Sequence, residues 1–221
     1  MKTAFAILLS LILSFPVLAQ QASQITRWEF GVDALTLFGK NTLPDYSLFG
    51  RFLINPQGKK KAFIRTRMGY ESTNRIIDNP LGFIKYQDLK LTNWTVAVGF
   101  QKEILSTSST SFYYGGDFTY QKNSEDDFGL EGIEQEDIFS YSGLTTFSIQ
   151  KFTGFLGFSF KPIKEIKISF ESGLFVGNEN FEENTLLLNP SLEPVGFYNN
   201  STRRVIAGFQ PFYQMLITLN L

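Results

Sequence analysis

The chain of 221 residues contains no cysteine and no histidine. Without cysteine it cannot form a disulfide, a thiolate metal site or a lipoprotein anchor. Without histidine it lacks the commonest general base and the commonest zinc ligand. Its formal net charge of −1 does not supply the basic surface that nucleic acid requires, so no nucleic-acid partner is expected. We therefore expect a protein that is not an enzyme, with no catalytic residues, no cofactor and no metal site.

Long apolar runs are also missing, except at the N terminus. Lys2 precedes an apolar run over residues 4–15, and Ala19 ends a short segment before the polar Gln20. This arrangement predicts a secretory signal peptide over residues 1–19, followed by a single domain over 20–221. An N-terminal membrane helix is the alternative, but the run is short for a span of about 20 residues. After cleavage the chain could enter a membrane only as strands.

The chain is rich in aromatic residues, with 24 Phe and 9 Tyr, and many of them recur at every second position. In the last segment Val205, Phe209 and Tyr213 share one face, while Gln210 and Gln214 share the other. Such alternation predicts β-strands. It recurs in eight segments, at 27–38, 45–55, 60–72, 89–105, 110–122, 141–161, 165–176 and 203–221. In the sixth segment the apolar face changes phase near Lys151, from Phe147 and Ile149 to Phe152 and Leu156, which predicts a β-bulge.

The connections between these segments alternate in length. Short turns are expected at 56–59, 106–109 and 162–164, long loops at 73–88, 123–140 and 177–202, and an intermediate link at 39–44. This is typical of an antiparallel up-and-down transmembrane β-barrel, with every short turn at one end and every long loop at the other. Eight strands are expected, or ten if the last long loop contains another hairpin.

The two faces of the predicted strands suggest which side meets lipid. Aromatic residues near the ends of the apolar face are expected at the membrane interfaces: Trp28, Tyr70, Trp94, Tyr114, Tyr120 and Phe160. The other face carries charges of both signs, which could pair inside a narrow lumen: Glu29, Asp33, Arg51, Arg65, Arg67, Glu71, Glu103, Asp117, Lys167 and Glu171. A soluble lipocalin-like barrel, with the apolar face inward, is the alternative.

By this pattern the whole mature chain resembles the small eight-stranded outer-membrane barrels of Gram-negative bacteria, of the OmpA and OmpX type. It is similar in particular to the Phe- and Tyr-rich outer-membrane β-barrel domains of Bacteroidota. The resemblance implies location in the outer membrane, contact with its lipid and lipopolysaccharide, and an interior filled by side chains. Many such barrels end in an aromatic residue, whereas this chain ends in Leu221.

Two of the predicted long loops carry distinctive side chains. The loop at 123–140 is acidic, and is either a solvated loop or a ligand for Ca²⁺. The loop at 177–202 is partly apolar, which indicates either a protein partner or an extension of the flanking strands; its apolar residues are Leu186, Leu187, Leu188, Val195, Phe197 and Tyr198. Arg203 and Arg204 follow, where they could meet lipopolysaccharide phosphates or pair with the acidic loop.

These features favour a non-enzymatic outer-membrane barrel with a polar, side-chain-filled interior and long extracellular loops, in a structural or adhesive role. The first alternative is an accessory subunit of an outer-membrane machine for secretion, assembly or uptake, docked through 177–202. The others are a small solute channel and a soluble ligand-binding barrel in the periplasm. An eight-stranded barrel has room inside for side chains and little else, which disfavours a general pore.

Overall fold

Two-residue alternation produces an all-β fold in the computed structural model, which describes residues 28–34, 46–58, 60–78, 84–133, 137–189 and 193–220. Residues 1–27, which include the predicted signal peptide, lie outside the described part. Eight strands follow in chain order: β1 Trp28–Asp33, β2 Tyr46–Leu53, β3 Ala62–Asp78, β4 Ile84–Ser106, β5 Thr110–Ile133, β6 Asp137–Phe160, β7 Ile166–Leu188 and β8 Pro194–Asn220. Each pairs antiparallel with its neighbours, and β1 pairs with β8, so the sheet closes into a barrel. The prediction of an eight-stranded up-and-down barrel is confirmed.

The barrel closes with a large offset between its first and last strands. Each residue can be traced to its paired residue on the next strand. A path that starts at Glu29 on β1 and crosses β2 to β7 in this way ends at Gly208 on β8. Glu29 itself pairs with Asn220, twelve residues further along β8. Such an offset requires strongly tilted strands. The connections that join β2 to β3, β4 to β5 and β6 to β7 share one end, called here the lower end; the opposite end is the upper end.

The prediction of three long loops is wrong for most of their residues, because these residues continue the strands. β3 and β4 pair as far as Asp78 and Tyr86, and β5 and β6 pair as far as Ile133 and Asp137. β7 and β8 pair without interruption from Glu182 to Leu187, which is the strand extension considered for 177–202. Backbone hydrogen bonds form regardless of side-chain polarity, so polar residues that suggest loops can continue a hairpin. Within the described residues there are eight strands and no extra hairpin.

The predicted bulge near Lys151 is also wrong. β6 pairs continuously with both neighbours from Tyr141 to Phe160. Phe147 and Ile149 therefore lie on the same inward face as the buried Phe155. The chemistry of that face changes along the strand while the backbone stays regular. A bulge occurs instead in β8, where the partners of Gly173 and Glu171 are Gln210 and Gln214, with two more residues between them than regular pairing allows.

The distribution of burial is the reverse of that in a soluble barrel. Arg65 and Glu171 are each 2% exposed, whereas Val98 is 53% and Phe118 is 55% exposed. Large apolar side chains such as Val98 and Phe118 thus lie on the outside, and the most deeply buried charges, such as Arg65 and Glu171, lie within. An apolar interior of the lipocalin type is not what these residues form. None of the described residues belongs to a helix long and apolar enough to span a membrane.

Candidate functional site: the barrel interior

An ion pair crosses the middle of the barrel. Arg65 on β3 donates to both carboxylate oxygens of Glu171 on β7, at 2.7 and 2.8 Å. β3 and β7 lie four strands apart in either direction round the ring, so this pair spans the lumen. Arg65 Nε also lies 3.1 Å from Asp117 Oδ1, and its Nη2 donates to Gln214 Oε1 at 2.5 Å. The guanidinium of Arg65 thereby links four strands, β3, β5, β7 and β8.

A second charged group lies beside the first. Arg51 donates to Glu29 through Nε at 2.8 Å and also through Nη2, and Lys167 Nζ lies 3.7 Å from the same carboxylate. Gln101 connects the two groups, because its Oε1 accepts from Arg51 at 3.1 Å and from Arg65 at 3.3 Å. Glu103 is buried on the same face of β4 as Gln101. Charges buried this deeply persist because each has partners of opposite sign or hydrogen-bond donors.

The bulge in β8 turns Tyr213 into the interior. Its hydroxyl donates to Asp117 Oδ2 at 3.0 Å and accepts from Arg67 at 3.3 Å. Arg67 also lies 3.8 Å from Asp33 Oδ2. Alternation along the last segment predicts Tyr213 on the apolar outer face, but it is 6% exposed, and Phe212, predicted on the polar face, is 71% exposed. The local backbone irregularity reverses both placements.

Three buried phenylalanines complete the lower interior, and sequence reasoning missed them by assigning apolar residues to the outside. The Arg65 guanidinium lies 4.2 Å from the ring centre of Phe155 and 5.2 Å from that of Phe49. The Arg51 guanidinium lies 4.8 Å from that of Phe63. Phe49 and Phe63 each precede an interior arginine by two residues, and that spacing was the available signal. Stacking on rings stabilises desolvated guanidinium groups.

Glycine makes room for the largest side chains inside the barrel. Tyr113 on β5 is paired with Gly157 on β6, and a Cβ at Gly157 would overlap the Tyr113 ring. Phe155 is paired in the same way with Gly115. The space left by the glycine allows the Tyr113 hydroxyl to donate a hydrogen bond to Glu171 Oε1 at 3.0 Å. The lower interior is therefore a closely packed network of ions, amides and rings.

A cavity of about 320 Å³ lies inside the upper part of the barrel. One rung of cross-strand neighbours in its wall runs Glu71, Asn93, Asn123, Phe147. The next rung upward contributes Leu91, Glu125 and Thr145. Glu71, predicted to be an interior charge, is thus half-buried in the cavity wall. The other nine predicted interior charges are buried lower down.

The predicted interface aromatics all lie on the outer face. Trp28, Tyr70 and Tyr114 are between 43% and 56% exposed. The other three are half-buried through contacts with neighbouring rings: Trp94 lies 5.0 Å from Tyr120, and Phe160 lies 6.5 Å from Phe170. Tyr70 pairs with Trp94 towards the upper end, while Phe160 pairs with Thr110 at the lower end.

The apolar residues predicted as a partner loop lie at the upper end of the β7–β8 hairpin. Leu187, Val195, Phe197 and Tyr198 are between 46% and 68% exposed. Leu186 pairs with Phe197 on the outer face, and both Leu186 and Leu188 are half-buried. Below them Arg204 pairs with Glu179 through an Nε to Oε1 contact of 2.5 Å, rather than with the acidic segment that begins at residue 123.

The buried groups of the lower interior form ion pairs, hydrogen bonds and ring contacts with one another. The described residues contain no group of three or more side chains placed to hold a metal ion. Most interior charges contact one another, so they support the barrel walls. The upper cavity differs, because its polar groups face open space.

Comparison with known proteins returned no match: no family model fits the chain, and neither the curated proteins nor the solved structures contain a significant relative. Sequence similarity therefore assigns no family, and the functional proposal rests on the fold and the interior.

Proposed function

We propose that this protein is a non-enzymatic β-barrel of the bacterial outer membrane with a structural or interaction role. It would reach that membrane after export and removal of the signal peptide. The observation that carries the proposal is the reversed burial. Large apolar side chains such as Val98 and Phe118 cover the outside, and ions such as Arg65 and Glu171 fill the inside. Water would penalise such an apolar outer surface, whereas hydrocarbon matches it.

The height of the apolar outer surface supports a membrane span. On β7 the outward positions from Ile166 to Val176 cover eleven residues and are apolar except for Ser172. The outward positions above them are polar up to Asn184. Transmembrane β-strands need about 9–11 residues. The lower part of β7 is therefore long enough to cross a membrane once, and the polar upper part would extend beyond it. Aromatic residues lie near both borders, as they do in membrane barrels.

The upper border of this band also has groups suited to lipopolysaccharide. Arg203 is exposed on the outer face two residues above Val205, which is 74% exposed. A guanidinium at that height is suited to lipid phosphate groups. Lipid and lipopolysaccharide are therefore the surroundings that we propose for the outer face.

The filled interior argues against a diffusion pore. The Arg65–Glu171 pair crosses the lumen, and rings and amides pack around it. Ions would have to break this network to pass. We expect the purified protein to give no stable openings in planar bilayers; regular conductance steps would favour the channel alternative.

A second candidate role is an accessory subunit of an outer-membrane machine. It is favoured by the exposed apolar side chains of Val195 and Phe197 at the upper end of the β7–β8 hairpin. Replacing Leu186, Val195 and Phe197 by Ser should then remove specific co-purifying proteins from a mild detergent extract. An unchanged set of proteins would exclude docking through this hairpin.

Fractionation tests the primary proposal. The protein should sediment with outer membranes, resist extraction by high salt, dissolve in detergent and migrate differently on gels before and after boiling. Recovery in the soluble periplasmic fraction would overturn it. A Phe118→Arg variant places a charge within the band and should reduce membrane assembly, while Phe128→Arg, above the band, serves as the matched control.

A further inference from the structure

The upper cavity has properties that the lower interior lacks. Its wall joins two adjacent rungs of β3, β4, β5 and β6, and its volume of about 320 Å³ is in the range of small-molecule sites. The lower interior has large side chains meeting across the lumen, whereas this wall carries short amides and Thr145 beside two carboxylates, Glu71 and Glu125.

The charged groups of the cavity wall are two carboxylates, Glu71 and Glu125. The side chains of Glu71 and Glu125 form no ion pair or hydrogen bond with another described residue. Asn93 Oδ1 is fully buried and accepts no hydrogen bond. The cavity lining includes no arginine or lysine. Two negatively charged groups therefore line a cavity whose wall contributes no cation, whereas the buried Asn93 oxygen does not face it.

The remaining lining is apolar and aromatic. Phe147 lies at the end of the lower rung, and Leu91 lies beside Glu125 in the upper rung. A ring in the same wall as carboxylates suits an organic cation, because the ring face attracts positive charge while the carboxylates accept hydrogen bonds from it. An anion would be repelled by this lining.

We propose that the upper cavity binds a small organic ammonium compound, with Glu71 and Glu125 as its charge partners and Phe147 as the surface for its apolar part. A divalent metal fits less well. No third acidic ligand joins Glu71 and Glu125 among the described residues.

The barrel interior below the cavity fits a binding site better than a passage. Arg67 lies four residues below Glu71 on the same face of β3, and its guanidinium contacts Tyr213 at 3.3 Å and Asp33 at 3.8 Å. The crossing Arg65–Glu171 pair lies beneath that. A ligand entering from the upper end would meet this packed layer and remain in the cavity.

Titration calorimetry on the full chain in detergent or nanodiscs tests the proposal, with 2-phenylethylamine as the probe. Two probes of similar shape supply the comparison, the neutral 2-phenylethanol and the anionic 3-phenylpropionate. We expect saturable binding of the amine with a Kd of about 1 mM or below, within reach of so small a ligand. The alcohol should bind at least about tenfold more weakly, as expected when a charged hydrogen bond is lost, and the carboxylate should not bind.

Substitutions in the wall locate the site. Glu71→Gln and Glu125→Gln should each weaken amine binding by about tenfold, and Phe147→Leu should weaken it by about threefold. Glu182→Gln, which removes an exposed carboxylate from the outer face of β7, should leave the Kd unchanged. The boiling-dependent gel shift checks that each variant is still folded.

Four outcomes would overturn the proposal: no amine binding by the wild type, equal binding of amine and alcohol, an equal effect of Glu182→Gln, or binding that persists in the Glu71→Gln, Glu125→Gln double variant. Displacement of the amine by equimolar Ca²⁺ would assign the site to a metal instead. The proposal does not depend on the location of the barrel, since a soluble protein with this cavity would give the same titration.

Discussion

The lower and upper parts of the barrel interior are built on the same strands and the same alternation, yet their side chains behave differently. Arg65 and Glu171 meet across the lower lumen and are each 2% exposed. In the upper part Glu71, Asn123 and Phe147 are half-buried around a cavity. Backbone geometry does not explain the difference, because pairing is continuous between the two parts.

Side-chain reach and charge complementarity do explain it. In the lower part, long arginines reach acids on neighbouring strands, as Arg51 reaches Glu29, or across the lumen, as Arg65 reaches Glu171. In the upper part, Glu71 and Glu125 have the same sign, and the residues between them are short. The closed barrel therefore leaves a space along its axis, and long side chains of opposite charge fill that space only in the lower part.

Removing a crossing charge should have the largest effect. Arg65→Met leaves Glu171 and Asp117 without their main cation, and should lower the free energy of unfolding by about 3–5 kcal/mol. Urea titration of the folded barrel in lipid vesicles measures this. Arg203→Met, on the exposed outer face, should change stability by less than about 0.5 kcal/mol. Equal effects would mean that the lower network does not support the fold.

A charge introduced on the outer surface should affect stability differently in the lower and upper parts of the barrel. Phe118→Arg lies within the apolar outer band and should cost about 2–4 kcal/mol in a bilayer, whereas Phe128→Arg lies above the band and should cost about 0–1 kcal/mol. The same urea titration applies. If both variants cost the same, the upper outer surface lies in lipid as well and the proposed border is misplaced.

Loss of one hydroxyl at the bulge should give an intermediate effect. Tyr213→Phe removes the contacts to Asp117 and Arg67 and leaves those ions less well satisfied, at a cost of about 1–3 kcal/mol. Tyr198→Phe, on a side chain that is 51% exposed, is the control and should be near neutral. A neutral Tyr213→Phe would show that the hydroxyl contributes little to the network.

Removing a charge from the upper cavity should affect stability least. Glu71 has no ion pair with a described residue, so Glu71→Gln should change the free energy of unfolding by no more than about 0.5 kcal/mol. The urea midpoint should therefore match that of the wild type even though amine binding weakens. A loss comparable to that of Arg65→Met would place Glu71 within the packed network and remove the contrast between the two parts.

Some of this could be read from the chain alone. The two-residue alternation determined that strands form and that charged residues such as Arg65 share a face opposite residues such as Val98. It predicted eight strands, with ten as the alternative that the structure then excluded for the described residues. A one-residue shift would exchange the two faces of a strand, so the pattern specifies the pairing strongly. Strand ends were less accessible, because the polar residues above Val176 look like a loop but pair like a strand.

Only the tertiary structure decided which groups meet. Arg65 and Glu171 are 106 positions apart, and alternation assigns both to the interior without pairing them. Tyr213 points inward because two extra residues bulge from β8. Pro211 within the bulge was the available sequence signal, since proline inside a strand is typical of bulges, but it does not tell which neighbouring side chain turns inward. The upper cavity likewise depends on which short side chains become neighbours once the ring has closed. Periodicity is a property of each strand, whereas contacts across the lumen depend on the register of all eight strands.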